Sequence, residues 1–282
     1  MTAIMSTPEG IDQVLMLIGY SSLLGSAVLT QVTKAQLYIT VLRLLRLAKE
    51  NLPEGSTVMI SAEGLPAPRS LRAARSLESL SAVISDFRIF MRLWGLLGMY
   101  QWGKSAILQP SKDKVTRRVT YAQVAVNTIY QVLENGAYLS SKGVMGWSAD
   151  KQNRAWLWSS RMWAAHVALE FVKLGHGMMK VKGKAHGNIK DNLVDIGTGY
   201  DQMKVEKLAE DVVEESKLVA DAAVKKAKED KAWTDWFIKN TAYAPLTLHW
   251  SIDGGLVSPF VVGALGTIVG LVNVGNQWRA TA

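Results

Sequence analysis

Cysteine is absent from the chain, which excludes disulfide bonds, thiol catalysis and cysteine-ligated metal sites and is typical of a protein facing the cytosol. N-glycosylation sequons are missing as well. The first basic residue is Lys34, so the apolar N-terminus has neither the charged leader of a signal peptide nor the arginine-rich pattern of a mitochondrial presequence. The final residues, RATA, do not form a C-terminal Ser-Lys-Leu address.

Catalytic signatures are missing too. The sequence contains no Walker-type phosphate loop, no G-x-G-x-x-G and no H-E-x-x-H. His166, His176 and His186 are ten residues apart, which would place successive rings about 80° apart around a helix rather than on one metal-binding face. His249 is better interpreted as a hydrogen-bonding group at a helix end than as a catalyst. We therefore predict a protein that is not an enzyme and binds no cofactor or metal.

Basic residues are in excess, with a formal net charge of +8. Counted along the sequence, the whole excess lies before residue 180, with clusters at 69–75, 88–92 and 112–118. Such clusters bind the phosphates of nucleic acid or of lipid headgroups. Each lies beside long apolar, aromatic stretches rather than on a polar recognition helix. The pattern therefore favours anionic lipid over nucleic acid.

The longest uncharged run stands near the C-terminus, where 25 residues separate Asp253 from Arg279. Its apolar centre, residues 256–274, would be about 28 Å long as a helix at ~1.5 Å per residue, close to the roughly 30 Å of a bilayer's hydrocarbon core. We predict a transmembrane helix here; a buried helix of a soluble bundle is the alternative. Glycines in this run, with a G-x-x-x-G pair among them, are predicted to let a second copy approach closely: Gly263, Gly266 and Gly270.

A second apolar feature follows the Pro/Gly-rich stretch at 53–68. Apolar residues recur there at alternating spacings of three and four, which is typical of one helix face. Arg88 and Arg92 flank one edge, as suits a helix lying in a membrane surface with arginines at headgroup level. An ordinary core-facing helix is the alternative. The predicted membrane-binding residues are Leu77, Leu80, Ile84, Phe87, Arg88, Met91, Arg92 and Trp94.

Nearly every other long segment also reads as helix, and three could supply a second membrane span: residues 13–33, 119–141 and 155–175. The sequence does not choose among them. Glu134 and Glu170 lie in apolar surroundings, where a carboxylate paired with an arginine such as Arg161 is the simplest interpretation. The predicted fold class is all-α: a membrane-associated helical bundle with amphipathic helices and a C-terminal glycine-rich transmembrane helix.

Composition divides the chain into three regions. Residues 1–179 are helical, basic and predicted to be membrane-active. Residues 180–231 combine a glycine-containing linker with a charged, alanine-rich helix that is predicted to be solvated. Residues 232–282 form the predicted anchor. Together they are interpreted as one domain.

The order of these segments resembles the peroxisomal biogenesis factor 11 family, and its fungal-type members most. IDQVLMLIGYSSLL at 11–24 is similar to the family's opening helix, and RSLESLSAVISDFRIFMRLW at 75–94 is similar to its arginine-punctuated amphipathic helix. NTIYQVLENGAYLSSKGVMGW at 127–147 looks like its tyrosine-rich region. The most specific likeness is the leucine-histidine-tryptophan element, glycine-rich span and terminal tryptophan within 245–282.

The resemblance implies a peroxisomal membrane protein that associates with itself and inserts an amphipathic helix to elongate the membrane ahead of fission and proliferation. It implies an anionic phospholipid membrane and further copies of the chain as partners, and leaves fission proteins as an open class. Both termini are expected towards the cytosol, which requires an even number of crossings. A peroxisomal pore or metabolite channel, with Glu134 and Glu170 among its lining, is the alternative; a soluble helical enzyme or adaptor is a third.

Overall fold

The computed structural model describes the backbone of residues 2–53, 55–57, 59, 68–187 and 203–281, and the side chains of these residues other than 2–3, 180–225 and 227. This part of the chain is helical and contains no strand, which confirms the all-α prediction. The helices are α1 (Thr2–Met5), α2 (Pro8–Asn51), α3 (Arg69–Met91), α4 (Gly95–Leu108), α5 (Lys114–Ser141), α6 (Ala149–Gly187), α7 (Met203–Trp250) and α8 (Pro259–Thr281), with a 3-10 turn at Arg92–Trp94 between α3 and α4.

Local chemistry explains where several helices begin and turn. Thr7 caps α2 by accepting a hydrogen bond from the Gly10 amide at 3.1 Å, and Asp113 caps α5 by accepting from the Thr116 amide at 2.8 Å. The turn between α7 and α8 contains two glycines with positive φ angles of 78° and 72°. Nδ1 of His249 accepts from the amides of Leu256 and Val257 in that turn. The prediction that His249 bonds at a helix end is confirmed.

The helices pack as a bundle in which α2 lies between α3 and α8. From α8 the contacts continue to α7, then α6, then α5, and α5 contacts the 3-10 turn after α3. Buried Met16, Ala242 and Val269 bring α2, α7 and α8 together. Helix α2 runs antiparallel to α3, since Thr33 bonds to Ser70 near the start of α3 while Asp12 pairs with Arg88 near its end. It also runs antiparallel to α8, where Gly263 lies beside Leu24 and Gly270 beside Leu17.

Two helices in the described part of the chain have the length and apolar composition to cross a membrane, α2 and α8. Core helices of soluble proteins have the same length and composition, but they are mostly buried. The exposed fraction of each helix therefore distinguishes the two cases. Only 28% of the most apolar window of each helix is buried within the bundle, and large side chains such as Ile18, Phe260 and Leu271 are exposed. Of the three segments proposed as a second span, the one within α2 meets the test.

The predicted boundary at 231/232 falls inside α7, which continues without a break from Met203 to Trp250. The helical half of the 180–231 region therefore joins the anchor region as one helix. Residues 188–202, which include much of the predicted linker, lie outside the described residues, as do the side chains of 180–225.

Candidate membrane-binding surface

Helix α3 has two apolar faces, and only one of them contacts the rest of the bundle. The inner face carries Ala74 and Ile84, both buried, and lies against glycines of α2. A side chain at Gly19 would approach Ile84 to 3.1 Å, and one at Gly25 would approach Leu77 to the same distance. Small residues on α2 thus allow the two helices to come close.

The second face, here called the outer stripe, is exposed. Val83 is 67% exposed and Phe87 is 45% exposed, despite their size and apolar character. The rings of Phe90 and Trp94 meet edge to face at a centroid distance of 5.5 Å. A contiguous exposed apolar surface of this kind marks a membrane or protein contact. The stripe consists of Leu80, Val83, Phe87, Phe90 and Trp94.

Beyond the 3-10 turn, Leu97, Tyr100, Ile107 and Leu108 of α4 are also large, apolar and exposed. The 3-10 turn separates α3 from α4, so the apolar residues before and after it lie on two helices. The predicted membrane-binding residues did not include Val83, Phe90 or any of these four α4 residues. Val83 and Phe90 could have been identified in the sequence, because they are large and apolar and lie next to residues of the predicted stripe.

The eight predicted membrane-binding residues fall into three groups. Leu80, Phe87 and Trp94 belong to the outer stripe. Leu77 and Ile84 face α2, and Met91 is half-buried. Arg88 and Arg92 pair with carboxylates inside the bundle rather than standing free at headgroup level. Lipid contact by the outer residues stays a prediction.

Arg88 joins α3 to α2 through a bidentate ion pair with Asp12. Its Nε donates to Oδ1 at 2.7 Å and its Nη2 to Oδ2 at 3.2 Å. Two parallel bonds of this kind fix orientation as well as distance. The pair therefore sets the register of α3 along α2.

Arg92 makes the second bidentate pair, with Glu134 of α5. Its Nε and Nη2 donate to the two carboxylate oxygens at 2.9 and 2.8 Å, and the Tyr130 hydroxyl donates to Oε1 at 2.7 Å. Burial raises the pKa of the Tyr130 hydroxyl, so it remains protonated and can donate. Glu134 was expected to pair with an arginine such as Arg161; its partner is Arg92.

Amide side chains of α5 hold the 3-10 turn in place. Gln131 donates to the Arg92 carbonyl at 2.9 Å, and Asn135 donates to the Leu93 carbonyl at 3.0 Å. These bonds satisfy carbonyls near the end of α3 that a continuous helix would have used. A Cβ at Gly95 would lie 2.5 Å from the Gln131 side chain, so glycine is needed for this approach. Side chains of α5 thus hold the 3-10 turn that separates α3 from α4.

Glu170 of α6, the second carboxylate predicted to lie in apolar surroundings, connects three helices. It accepts from Gln123 of α5 at 2.6 Å and from the Trp236 indole of α7 at 2.8 Å. Arg161 instead donates to the Ser251 carbonyl at 3.2 Å and lies over the Trp158 ring. Both predicted carboxylates therefore face the bundle, but neither pairs with Arg161.

Three of the four glycines of α8, which are the three predicted for self-association, pack against α2 of the same chain. A Cβ at Gly263 would lie 2.7 Å from the Leu24 backbone nitrogen, one at Gly270 would lie 2.8 Å from the Leu17 Cα, and one at Gly266 would overlap the Tyr20 ring. These glycines allow close approach within the chain. Their predicted contribution to self-association stays a prediction.

Across the residues that the structure describes, no group of three or more histidine, aspartate or glutamate side chains is placed to hold a metal ion. His166 contacts Asn127, whereas His176 pairs with Asp113 at 2.9 Å. Burial lowers the pKa of His166. His186 lies where side chains are not described.

Comparison with known proteins gives one family and one relative. The family described as Peroxisomal biogenesis factor 11 (PEX11) matches residues 66–278. An uncharacterised protein of the fission yeast Schizosaccharomyces pombe is 30% identical over 102 residues, which are 36% of this chain and 49% of that protein. The chain thus spans about half the length of this curated relative. No solved structure matches at a significant level.

Proposed function

We propose that this chain, which belongs to the peroxisomal biogenesis factor 11 family, remodels the peroxisomal membrane by inserting the outer stripe of α3 into one leaflet. Membership of the family implies a part in peroxisome biogenesis and proliferation at the peroxisomal membrane. The observation that carries the finer mechanism is the exposure of the outer stripe while the opposite face of α3 is attached to α2.

The physical step is an area imbalance between leaflets. An apolar stripe that enters one leaflet displaces lipid in that leaflet only, and the lateral pressure bends the membrane. Helix α3 is attached along α2 by the Arg88–Asp12 and Ser70–Thr33 contacts, so lying in one leaflet requires α3 to separate from a spanning α2. Several associated copies would add their displacements and elongate the organelle before fission.

The topology follows from the pairing of α2 and α8. If both cross the bilayer, their antiparallel packing places both chain ends on one side. We assign that side to the cytosol. No observation favours the channel alternative, since both Glu134 and Glu170 are engaged by neighbouring side chains.

We expect Phe87→Asp to abolish membrane deformation by the purified full-length protein on vesicles containing anionic lipid, because it places a charge within the outer stripe. Electron microscopy of the vesicles reports tubulation directly. Ala82→Asp is the matched control: Ala82 is also exposed but lies about 140° around the helix from Phe87 at ~100° per residue. It should deform vesicles as the wild type does. Tubulation by a folded Phe87→Asp variant would contradict the mechanism.

Deleting residues 256–278 removes α8 and leaves α2 as the other described helix able to cross the membrane, so we expect the truncated protein to be released from membranes at least in part. Alkaline carbonate extraction measures the result as transfer of the protein to the supernatant. Protease protection of tagged termini in the intact protein tests the orientation. A truncated protein that stays in the carbonate-resistant pellet would remove α8 as the anchor.

A further inference from the structure

A groove of about 470 Å³ lies between α5 and α6, close to the turn that joins them and apart from the outer stripe. Ile129 and Leu133 of α5 line it from one side, and Ala155, Trp158 and Met162 of α6 from the other. Its volume is within the range of small-molecule sites, about 300–1,000 Å³. The interior is apolar.

The end of the groove nearest the turn is formed by Trp147, and its position is fixed. Its ring packs on Gly136 of α5, where any side chain would overlap it. Gln152 donates to the Trp147 carbonyl at 2.9 Å, and Gly143 supplies the positive φ of 77° that reverses the chain. The Trp147 end of the groove is thus fixed by contacts with α5, with α6 and with the turn between them.

The polar residues that line the groove are cations. The Lys151 ammonium lies 4.3 Å from the centroid of the Trp147 ring, and Arg154 lines the same opening. Both side chains are exposed, and no carboxylate lines the groove. The ligand that complements this arrangement is one molecule with an apolar chain and an anionic head.

We propose that this groove binds one anionic phospholipid, with an acyl chain along Ile129, Leu133 and Met162 and the phosphate at Lys151 and Arg154. A free phosphate ion would leave the apolar interior empty, and a zwitterionic lipid would bring a cation of its own to Lys151 and Arg154. Trp147 and Trp158 suit the bilayer interface, where indole rings concentrate. The groove would therefore hold the α5–α6 turn at headgroup level.

This inference rests on the proposed function only in that the protein lies at a membrane. It assigns the α5–α6 turn a lipid contact of its own, independent of the outer stripe on α3. A bound headgroup at this turn would give the bundle a preference for anionic membranes that insertion of an apolar stripe alone does not provide.

The test uses the full-length protein in micelles of a neutral detergent. Phosphatidylglycerol with brominated acyl chains is titrated in, and quenching of tryptophan fluorescence is recorded; brominated phosphatidylcholine is titrated in parallel. We expect saturable quenching by phosphatidylglycerol, and at least about tenfold weaker binding in Lys151→Glu/Arg154→Glu, since each cation near a membrane surface contributes about 1 kcal/mol. Trp147→Phe/Trp158→Phe should remove most of the saturable quenching.

Lys226→Glu/Lys228→Glu is the matched control, with two exposed lysines reversed on α7, in the region predicted to be solvated; its binding curve should match the wild type. If reversal at Lys151 and Arg154 prevents folding, as judged by circular dichroism, Lys151→Gln/Arg154→Gln repeats the test. Equal binding of the two lipids by the wild type, or unchanged binding in the folded groove variant, would overturn the proposal. Either result leaves the Phe87→Asp experiment on vesicles unaffected.

Discussion

Replacing Gly263 and Gly270 by leucine is expected to separate α8 from α2 and to destabilise the whole bundle. A Cβ at either position meets the backbone of α2, at Leu24 and at Leu17, and backbone atoms cannot rotate away as a side chain can. Overpacking typically costs about 1–3 kcal/mol per site, so two sites facing one helix should lower the thermal unfolding midpoint clearly. Circular dichroism in detergent measures it.

Gly275 is the matched control on the same helix. A Cβ there has the Arg279 guanidinium as its nearest neighbour, at an ordinary 3.7 Å. Leucine at any of the three positions improves helix propensity by up to about 1 kcal/mol, so the difference between the double variant and Gly275→Leu isolates the contact. Unchanged unfolding of the double variant, together with lost crosslinking between copies, would assign these glycines to self-association instead.

Replacing Arg92 by methionine should cost roughly 3–5 kcal/mol of folding stability, because it leaves the Glu134 carboxylate without its charge partner. The Glu134 side chain is only 6% exposed, so water cannot substitute for the guanidinium. The Tyr130 hydroxyl would remain as a single neutral donor. Chemical denaturation in a mild detergent gives the change in the free energy of unfolding.

Two further variants show whether the loss of folding stability arises from the unpaired Glu134 carboxylate. Arg92→Met/Glu134→Gln removes both charges and should recover most of the loss. Arg88→Met leaves Asp12, whose side chain is 30% exposed and can be hydrated, so a smaller loss is expected there. Equal losses for Arg88→Met and Arg92→Met would show that burial of the partner carboxylate does not decide the cost.

Periodicity and run length predicted the existence of α3 and α8, because both signals lie within a single stretch of sequence. What they could not predict is which helices become neighbours. The spacing placed Arg88 and Arg92 at one edge of the predicted apolar stripe, yet an edge can face headgroups or carboxylates equally well. The partners, Asp12 and Glu134, lie 76 and 42 residues away, and only the tertiary structure brings them there.

The end of α3 at Met91 is another feature that the sequence alone did not predict. The sequence around Arg92 has no proline, and its apolar pattern continues into α4. Instead, Gln131 and Asn135 of α5 hold the turn through hydrogen bonds to its backbone carbonyls. These bonds come from residues far away in the sequence, so the sequence near Arg92 does not predict them. The choice of α2 as the neighbour of α8 was open among three segments for the same reason.

Helix α2 is longer than the hydrocarbon core of a bilayer is thick. Its 44 residues measure about 66 Å at ~1.5 Å per residue, whereas a helix tilted by as much as 40° fits only about 39 Å within ~30 Å of hydrocarbon. If α2 crosses, its last three turns or more stand outside the lipid, carrying Arg43, Arg46 and Lys49. The chain would then possess a rigid cationic extension on the side of the membrane opposite to its two ends.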